Sequence, residues 1–360
     1  MDSLPSKTFI TSFLSSLDLW QACFVALICT VFAIKLLRPV AAIVGLVDMP
    51  DSRKQHAGHV PLVGGLAIYC GSMLAFVLFI PFSEKIAYLL VTASFVMLTG
   101  MIDDIKDLGV KVRLLVQVAA SLVMIYGTGL QIESLGDLFG FGEVSLGIWS
   151  VPFTLLAVIG VINAFNMVDG IDGLAAGLAL IAILGIVGFE ALSGRFQNIE
   201  YLILLAFALI PFLLTNLCII SKRKIFMGDA GSMFVGYVIA WELINISQGV
   251  DQSIEPVNAL WCVAIPVVDT LGVMCRRMKK GQSPFKPDRE HLHHIFMRAG
   301  LSDRWALVVI LGSAVVILML GLVVQVFIPG VAFYLFAALF FGYGYLLLHA
   351  WKLQRLIKRQ

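Results

Sequence analysis

The chain has 360 residues, of which 60% are hydrophobic and 13% charged, and its formal net charge is +2. Soluble domains carry about 25% charged residues, so this composition excludes a water-soluble globular fold and indicates a protein solvated by lipid.

Apolar runs of about 17–25 residues predict helices long enough to span a bilayer. The chain is therefore predicted to be an all-α, polytopic transmembrane helix bundle of about 11 spans, forming a single domain over residues 1–360. In chain order, the runs lie near residues 19–41, 62–81, 86–102, 112–128, 148–165, 173–190, 199–220, 230–246, 257–275, 304–327 and 331–351.

The distribution of Lys and Arg predicts the orientation of these spans, because positively charged loops remain in the cytoplasm. With the N-terminus outside, only Lys7, Lys85 and Arg195 of the 25 Lys and Arg residues fall on the outer side. We therefore expect an N-terminus outside and a C-terminus in the cytoplasm.

Three predicted inner helix ends carry carboxylates, which are costly at membrane depth and indicate a function. They read GMIDDIKD (100–107), NAFNMVDGIDG (163–173) and FMGDAGS (226–232). Helix capping is the alternative, since Asp and Asn cap helices, but three motifs at one membrane face favour a shared site. Asp107 and Asp269, which lies near the inner end of the ninth span, stay open between structural and functional roles.

The second motif places Asn163, Asn166, Asp169 and Asp172 at every third position, so that on an α-helix neighbours in the series stay adjacent. Gly170 allows the backbone to unwind there. Because all these ligands are oxygens, the pattern is typical of a Mg²⁺ or Mn²⁺ site and not of a zinc site.

Five of the six histidines lie in two inner loops, which contain the segments 48–65 and 283–294. Topology and anionic lipids explain the Lys and Arg of these loops, but not the His. The sequence HLHH could hold zinc. Histidines and arginines that face a magnesium site are instead suited to a diphosphate and sugar hydroxyls.

Together these segments resemble the polyprenyl-phosphate N-acetylhexosamine-1-phosphate transferase family, WecA type. The related translocase MraY has a PxHHHxE segment where this chain has HLHH, which argues against a muramoyl-pentapeptide substrate. The matching segments are DMPDSRKQHAGHVPLVGG (48–65), GMIDDIKDL (100–108), NAFNMVDGIDGLAAG (163–177), FMGDAGS (226–232) and SPFKPDREHLHH (283–294).

The resemblance implies transfer of GlcNAc-1-phosphate from UDP-GlcNAc to undecaprenyl phosphate, with release of UMP, for O-antigen or related glycans. The implied setting is the bacterial inner membrane, with the active site facing the cytoplasm. The implied partners are UDP-GlcNAc, undecaprenyl phosphate and the bilayer. No nucleic acid is expected, and a homodimer is left open. The loops 45–61, 103–111, 166–173, 221–230 and 276–303 would form the site.

The resemblance also assigns roles to single residues, with Mg²⁺, or Mn²⁺ in its place, as the cofactor. Asp103 would accept the proton of the lipid phosphate, and Phe226 would stack on the uracil. The implied catalytic residues are Asp103, Asp104, Asp169 and Asp172; the metal ligands are Asp229, Asn166 and Asp104; the substrate-binding residues are Lys54, Arg113, Asp172, Phe226, Arg289, His291, His293 and His294.

Two other functions remain open. Asp103, Asp104 and Asp107 form a DDxxD pattern, which is typical of prenyltransferases that bind a prenyl diphosphate through Mg²⁺. Carboxylates within the membrane are also found in ion-coupled transporters. The prenyltransferase would release inorganic diphosphate, whereas the transferase releases UMP.

Overall fold

The computed structural model describes residues 17–48, 59–194, 199–249, 252–283 and 291–357. These residues are almost entirely helical, which confirms the predicted all-α class. The helices are α1 (Leu17–Val44), α2 (Gly64–Phe79), α3 (Glu84–Lys106), α4 (Val110–Thr128), α5 (Ser150–Val168), α6 (Leu174–Ser193), α7 (Glu200–Asn216), α8 (Gly228–Ser247), α9 (Pro256–Cys262), α10 (Ala264–Lys279), α11 (Leu292–Arg298), α12 (Asp303–Phe327) and α13 (Ala332–Ile357).

Two short strands, β1 (Val47–Asp48) and β2 (Val60–Pro61), pair antiparallel at the end of α1. Single 3₁₀ turns at Gly147–Trp149 and Pro329–Val331 precede α5 and α13. These elements close the connections between helices and add no sheet to the core.

Seven of the described helices are long and apolar enough to cross a bilayer: α1, α3, α4, α5 with its 3₁₀ turn, α6, α8 and α12. Helices α9 and α10 pass the same test as a pair, although they are bent by 88° at their junction. Shorter apolar helices occur at Gly64–Phe79, Glu200–Asn216 and Pro329–Tyr345. The polytopic architecture is thus confirmed, while the count of eleven spans and the orientation stay predictions.

Helix α8 forms the centre of the bundle, because 94% of its apolar window is buried inside the protein. It packs against α2, α3, α5, α6 and α9, and Tyr237 and Trp241 on it are fully buried. Lipid gives helices no hydrophobic reason to associate, so close packing of this kind holds a membrane bundle together. The start of α8 is therefore fixed relative to the ends of its neighbours.

Candidate active site

The site lies where the end of α3, the start of α4, the end of α5 and the start of α8 meet. Arg113 joins two of these elements: its Nη1 donates to Asp103 Oδ2 at 2.7 Å and to Asp229 Oδ2 at 3.1 Å. From α5, Asn166 Nδ2 donates to Asp229 Oδ1 at 2.8 Å. The structure therefore brings together Asp103, Asn166 and Asp229, which the sequence placed in three separate motifs, and joins them to Arg113 at the start of α4.

The end of α3 holds Asp103 in a single orientation. Asp107 adopts a left-handed conformation with φ of 50° and donates its N–H back to the Asp103 carbonyl, which ends the helix. The next amide, Leu108 N, donates to Asp103 Oδ1 at 2.6 Å. Asp103 is buried, and in the described structure Leu108 N and Arg113 donate to its carboxylate and stabilise its charge.

Asp104 caps the start of α8. Its Oδ1 accepts from Asp229 N at 2.8 Å and its Oδ2 accepts from Ala230 N at 3.1 Å, so it satisfies two amides that a helix leaves open. Gly228 has φ of +72°, and a Cβ there would lie 2.5 Å from Asp104 Oδ2. Asp104 thus holds the main chain of Asp229 in place through these hydrogen bonds. A contact of Asp104 with a metal stays a prediction.

Of the residues expected at every third position of one helix, only Asn163 and Asn166 lie on α5. The helix ends at Val168, so Asp169 and Asp172 lie on the following turn, and the expectation of a helical series through them is wrong. Asn163 also points away from the site, since its Nδ2 donates to Gln117 Oε1 at 2.7 Å and ties α5 to α4. The turn nevertheless keeps Asp169 close enough to Asp229 and Asp172 to interact with both charges.

Asp169 experiences the negative charge of the site directly. Desolvation first, and then the carboxylates of Asp229 and Asp172, raise the pKa of Asp169 to about 7. Asp169 still reaches solvent, so the repulsion among the three carboxylates is the cause that bears on chemistry. A cation placed among them would relieve this repulsion.

Asp172 and Phe226 meet through a residue that sequence reasoning missed. Lys224 forms an ion pair with Asp172, and its ammonium lies 5.1 Å from the centre of the Phe226 ring. Lys224 lies two residues before the FMGDAGS motif, and this proximity was the feature of the sequence that could have identified it as a site residue. Asn216 holds the turn to this segment, since it accepts from Gly173 N at 2.7 Å and donates to Ile225 O at 2.8 Å. Lys54, the third predicted uracil contact, lies outside the described residues.

The segment around Phe226 is attached through its main chain. Phe226 N donates to Pro61 O, Gly64 N donates to Phe226 O, and Gly65 N donates to Met227 O, each at 2.9 Å. The loop before α2 and the loop before α8 are thereby held side by side, and Phe226, the predicted uracil contact, takes part in these bonds.

The predicted histidines lie at the start of helix α11, with His291 immediately before it, and this start is fixed by a residue whose role the sequence left open. Asp269 Oδ2 lies 2.8 Å from His291 Nδ1, and Asp269 Oδ1 accepts from Leu292 N at 3.0 Å. Tyr343 Oη on α13 also donates to Asp269 Oδ1 at 2.8 Å. Asp269 is buried, with 1% of its surface exposed. These contacts attach the start of α11 to α10 and α13.

The histidines reach the turn after α5. The rings of His291 and His293 are parallel, with centres 5.9 Å apart, and those of His293 and His294 are 4.1 Å apart. A Cβ on Gly170 would lie 2.3 Å from His293 Nε2, so this ring packs directly on the turn. Burial first, and then His294 and His291, lower the pKa of His293 to about 3. Arg289 lies outside the described residues.

The donor set of this site fits a magnesium ion. Asp229 and Asn166 offer oxygen ligands, and Mg²⁺ takes one or two carboxylates while water and phosphate oxygens fill its other positions. In the part of the chain that the structure describes, no three His, Cys, Asp or Glu side chains are grouped tightly enough to hold a metal by themselves. The substrate oxygens would therefore complete the coordination.

Comparison with known proteins gives consistent matches over most of the chain. Residues 86–247 match the family described as Glycosyl transferase family 4. A relative from Salmonella typhi, named undecaprenyl-phosphate alpha-N-acetylglucosaminyl 1-phosphate transferase, is 41% identical over 334 residues, covering 92% of this chain and 91% of its own length. Relatives of the same name from Escherichia coli K12 and Haemophilus influenzae are 40% identical, covering 89% of each chain, and 36% identical, covering 93% of this chain and 96% of the relative.

Proposed function

We propose that this chain, which belongs to the undecaprenyl-phosphate alpha-N-acetylglucosaminyl 1-phosphate transferases of glycosyl transferase family 4, catalyses the reaction that its relatives are named for. It transfers GlcNAc-1-phosphate from UDP-GlcNAc to undecaprenyl phosphate and releases UMP. Both the DDxxD prenyltransferase and the transporter lack support, since neither activity appears in the names of these relatives.

The reaction needs a site at a membrane surface, because one substrate is a soluble nucleotide sugar and the other is a phosphate on a lipid tail. The apolar helices supply the membrane setting, and the relatives are bacterial. We place the protein in the bacterial inner membrane with the site on the cytoplasmic face. The distribution of Lys and Arg supports this orientation.

Charge neutralisation and alignment are the main tasks of the site, because both reactants are anionic. Mg²⁺, when bound at Asp229 and Asn166, would neutralise part of the negative charge of the diphosphate and so favour its binding beside these residues. The Arg113 guanidinium has five N–H donors, and its Nη1 already contacts Asp103 and Asp229. Its remaining donors can hold the lipid phosphate between these two carboxylates.

The transfer itself is a substitution at phosphorus. An oxygen of the lipid phosphate attacks the β-phosphorus of UDP-GlcNAc, the bond to the bridging oxygen breaks, and UMP leaves with that oxygen. Asp103 Oδ2, beside Arg113, accepts any proton the lipid phosphate still carries. The second pKa of a phosphate monoester is ~6, so a weak base is sufficient. Direct attack is favoured over a phospho-aspartate intermediate, because the lipid phosphate is already a nucleophile.

The substrate groups follow from the same arrangement. Lys54, Asp172 and Phe226 would surround the uracil, and Asp169 would order the ribose and its phosphate. Arg289, His291, His293 and His294 would contact the sugar and diphosphate. The packing of His293 on Gly170 supports this assignment, because it brings the histidine helix against the turn that carries Asp169 and Asp172.

The observation that carries the proposal is the double contact of Arg113, which joins α3, α4 and α8 at one point. The test is an assay of the detergent-purified protein with undecaprenyl phosphate, a panel of UDP-sugars, and Mg²⁺, Mn²⁺ or EDTA. We expect UMP release that requires UDP-GlcNAc, the lipid phosphate and a divalent cation. Release of inorganic diphosphate, or no turnover with any UDP-sugar, would contradict the proposal. A phosphorylated Asp103 or Asp104 after incubation with UDP-GlcNAc alone would replace direct attack by a two-step route.

A further inference from the structure

We propose that Asp269 is a positioning residue that orients His291 toward the nucleotide sugar, and that Tyr343 on the last helix holds Asp269 in place. This inference rests on the proposed function. Asp269 is separated from His291 by 22 positions and from Tyr343 by 74, and it touches neither the acidic motifs nor Arg113 among the described contacts.

Both oxygens of Asp269 are engaged, and each contact restrains a different part of the site. Oδ2 lies 2.8 Å from His291 Nδ1, while Oδ1 accepts from Leu292 N at 3.0 Å and from Tyr343 Oη at 2.8 Å. The carboxylate thus fixes both the ring of His291 and the main chain at the start of α11. Tyr343 ties the same carboxylate to α13, so the last helix takes part in this restraint.

The chemistry of the pair determines which nitrogen of His291 is presented to a substrate. An ionised carboxylate only accepts hydrogen bonds, so its contact with Nδ1 requires a proton there. The nitrogen left for other partners is then Nε2. Partners of this kind fix the tautomer and the direction of a histidine ring, and their removal typically costs 10–100-fold in function at metal sites, an order of magnitude we adopt here.

The orientation of His291 reaches further through ring packing. His291 immediately precedes the seven-residue helix α11, and its ring lies parallel to that of His293 within the helix, with centres 5.9 Å apart; His293 in turn lies against Gly170. A tilt of His291 would therefore change the contact between α11 and the turn that carries Asp169 and Asp172. We expect the effect to fall on the nucleotide sugar and to spare the lipid phosphate, which Arg113 would hold between Asp103 and Asp229.

A purely structural role predicts a different result. If Asp269 only anchors α11 between α10 and α13, its loss lowers the fraction of folded enzyme. The turnover number kcat then falls, while the KM values for both substrates are unchanged. A positioning role instead raises the KM for UDP-GlcNAc and leaves the KM for undecaprenyl phosphate unchanged.

The experiment is a double-mutant cycle on the full-length protein in detergent, comparing wild type, Asp269→Asn, His291→Ala and the double variant. We expect Asp269→Asn to lower kcat/KM for UDP-GlcNAc on the order of 10- to 100-fold. If Asp269 acts through His291, the double variant loses no more than His291→Ala alone. Losses that multiply in the double variant, or a fall in kcat with both KM values unchanged, would overturn the proposal.

Tyr343→Phe provides a second test that removes a single hydroxyl and keeps the carboxylate, so it guards against misfolding of Asp269→Asn. We expect a smaller rise in the same KM, which again disappears in the His291→Ala background. Tyr334→Phe is the matched control, because Tyr334 lies on the same helix and donates to Phe139 O away from the site. Wild-type kinetics in Tyr343→Phe would remove Tyr343 from the proposal. If wild type itself releases no UMP, the proposed function fails and this inference with it; if wild type turns over but the losses multiply, this inference alone fails.

Discussion

Replacement of Arg113 by Met tests the centre of the site, because it removes one positive charge from between two carboxylates. Nη1 lies 2.7 Å from Asp103 Oδ2 and 3.1 Å from Asp229 Oδ2. The two oxygens are thus at most about 6 Å apart, where two unit charges repel by about 3 kcal/mol at an effective dielectric constant of ~20. The Asp229 side chain is 36% exposed, so screening reduces this to about 1–3 kcal/mol.

That energy corresponds to a loss of roughly 5- to 150-fold in kcat/KM, to which the lost contact with the lipid phosphate adds. We therefore expect Arg113→Met to lower kcat/KM for undecaprenyl phosphate by about 10²-fold, measured as UMP release at saturating UDP-GlcNAc. The KM for UDP-GlcNAc should change less, because no contact of Arg113 reaches the Lys224 and Phe226 side of the site among the described residues.

A second readout separates loss of charge from misfolding. Without the guanidinium, a divalent cation must neutralise Asp103 and Asp229 alone, so Mg²⁺ should raise the melting temperature of Arg113→Met by more than that of wild type. The control is Lys111→Met, which removes the same charge from an exposed position on α4. Near-wild-type turnover in Arg113→Met, or a smaller stabilisation by Mg²⁺ than in wild type, would refute the reasoning.

Three further predictions follow from the contacts of the site. Asp103→Asn and Asp229→Asn should each abolish magnesium-dependent UMP release in protein that remains folded in detergent; turnover close to normal in either variant removes that residue from its role. Gly228→Ala should lower the melting temperature and the activity, because it adds a Cβ 2.5 Å from Asp104 Oδ2 at a φ of +72°, a strain of about 1–3 kcal/mol. Gly249→Ala is the control for backbone strain alone, since Gly249 has a φ of +79° and no atom within 4 Å of the added Cβ. Equal losses in both variants would show that the clash with Asp104 has no effect. Burial holds the pKa of His293 at about 3 in the folded protein, below the usual value of 6.5, so below about pH 6.5 the unfolded chain binds a proton that the folded protein does not, and the free energy of unfolding falls by up to ~1.4 kcal/mol per pH unit. The melting temperature of wild type should therefore fall more steeply from pH 7 to pH 5 than that of His293→Gln. Parallel curves would show that His293 is not the group responsible.

Much of the fold followed from the sequence, because a bilayer sets the length of an apolar helix and each apolar run has a helix at its position. The junction of α9 and α10 is the exception. The run 257–275 reads as one span, yet the chain bends by 88° there. The one charge in this run, Asp269, lies six residues past the break at Val263, so the hydropathy of the run did not reveal the bend.

The acidic motifs could be assigned to one site because they share a predicted membrane face. The sequence could not show which oxygen of each carboxylate is already engaged. Asp104 reads as an equal neighbour of Asp103, but it caps α8 while Asp103 faces Arg113. Contacts between segments distant in sequence were equally hidden: Lys224 pairs with Asp172, and Asp269 contacts His291.

The attachment between the loops before α2 and α8 has an evolutionary consequence. Pro61, Gly64 and Gly65 bind Phe226 and Met227 through backbone amides and carbonyls, and every amino acid except proline carries both groups. The side chain at position 226 can therefore be exchanged without loss of these main-chain bonds, whereas Gly65 cannot be replaced, because a Cβ there would lie 2.2 Å from Gly231 N. The base contact that we propose for position 226 could therefore change during evolution while the main-chain attachment beneath it is retained.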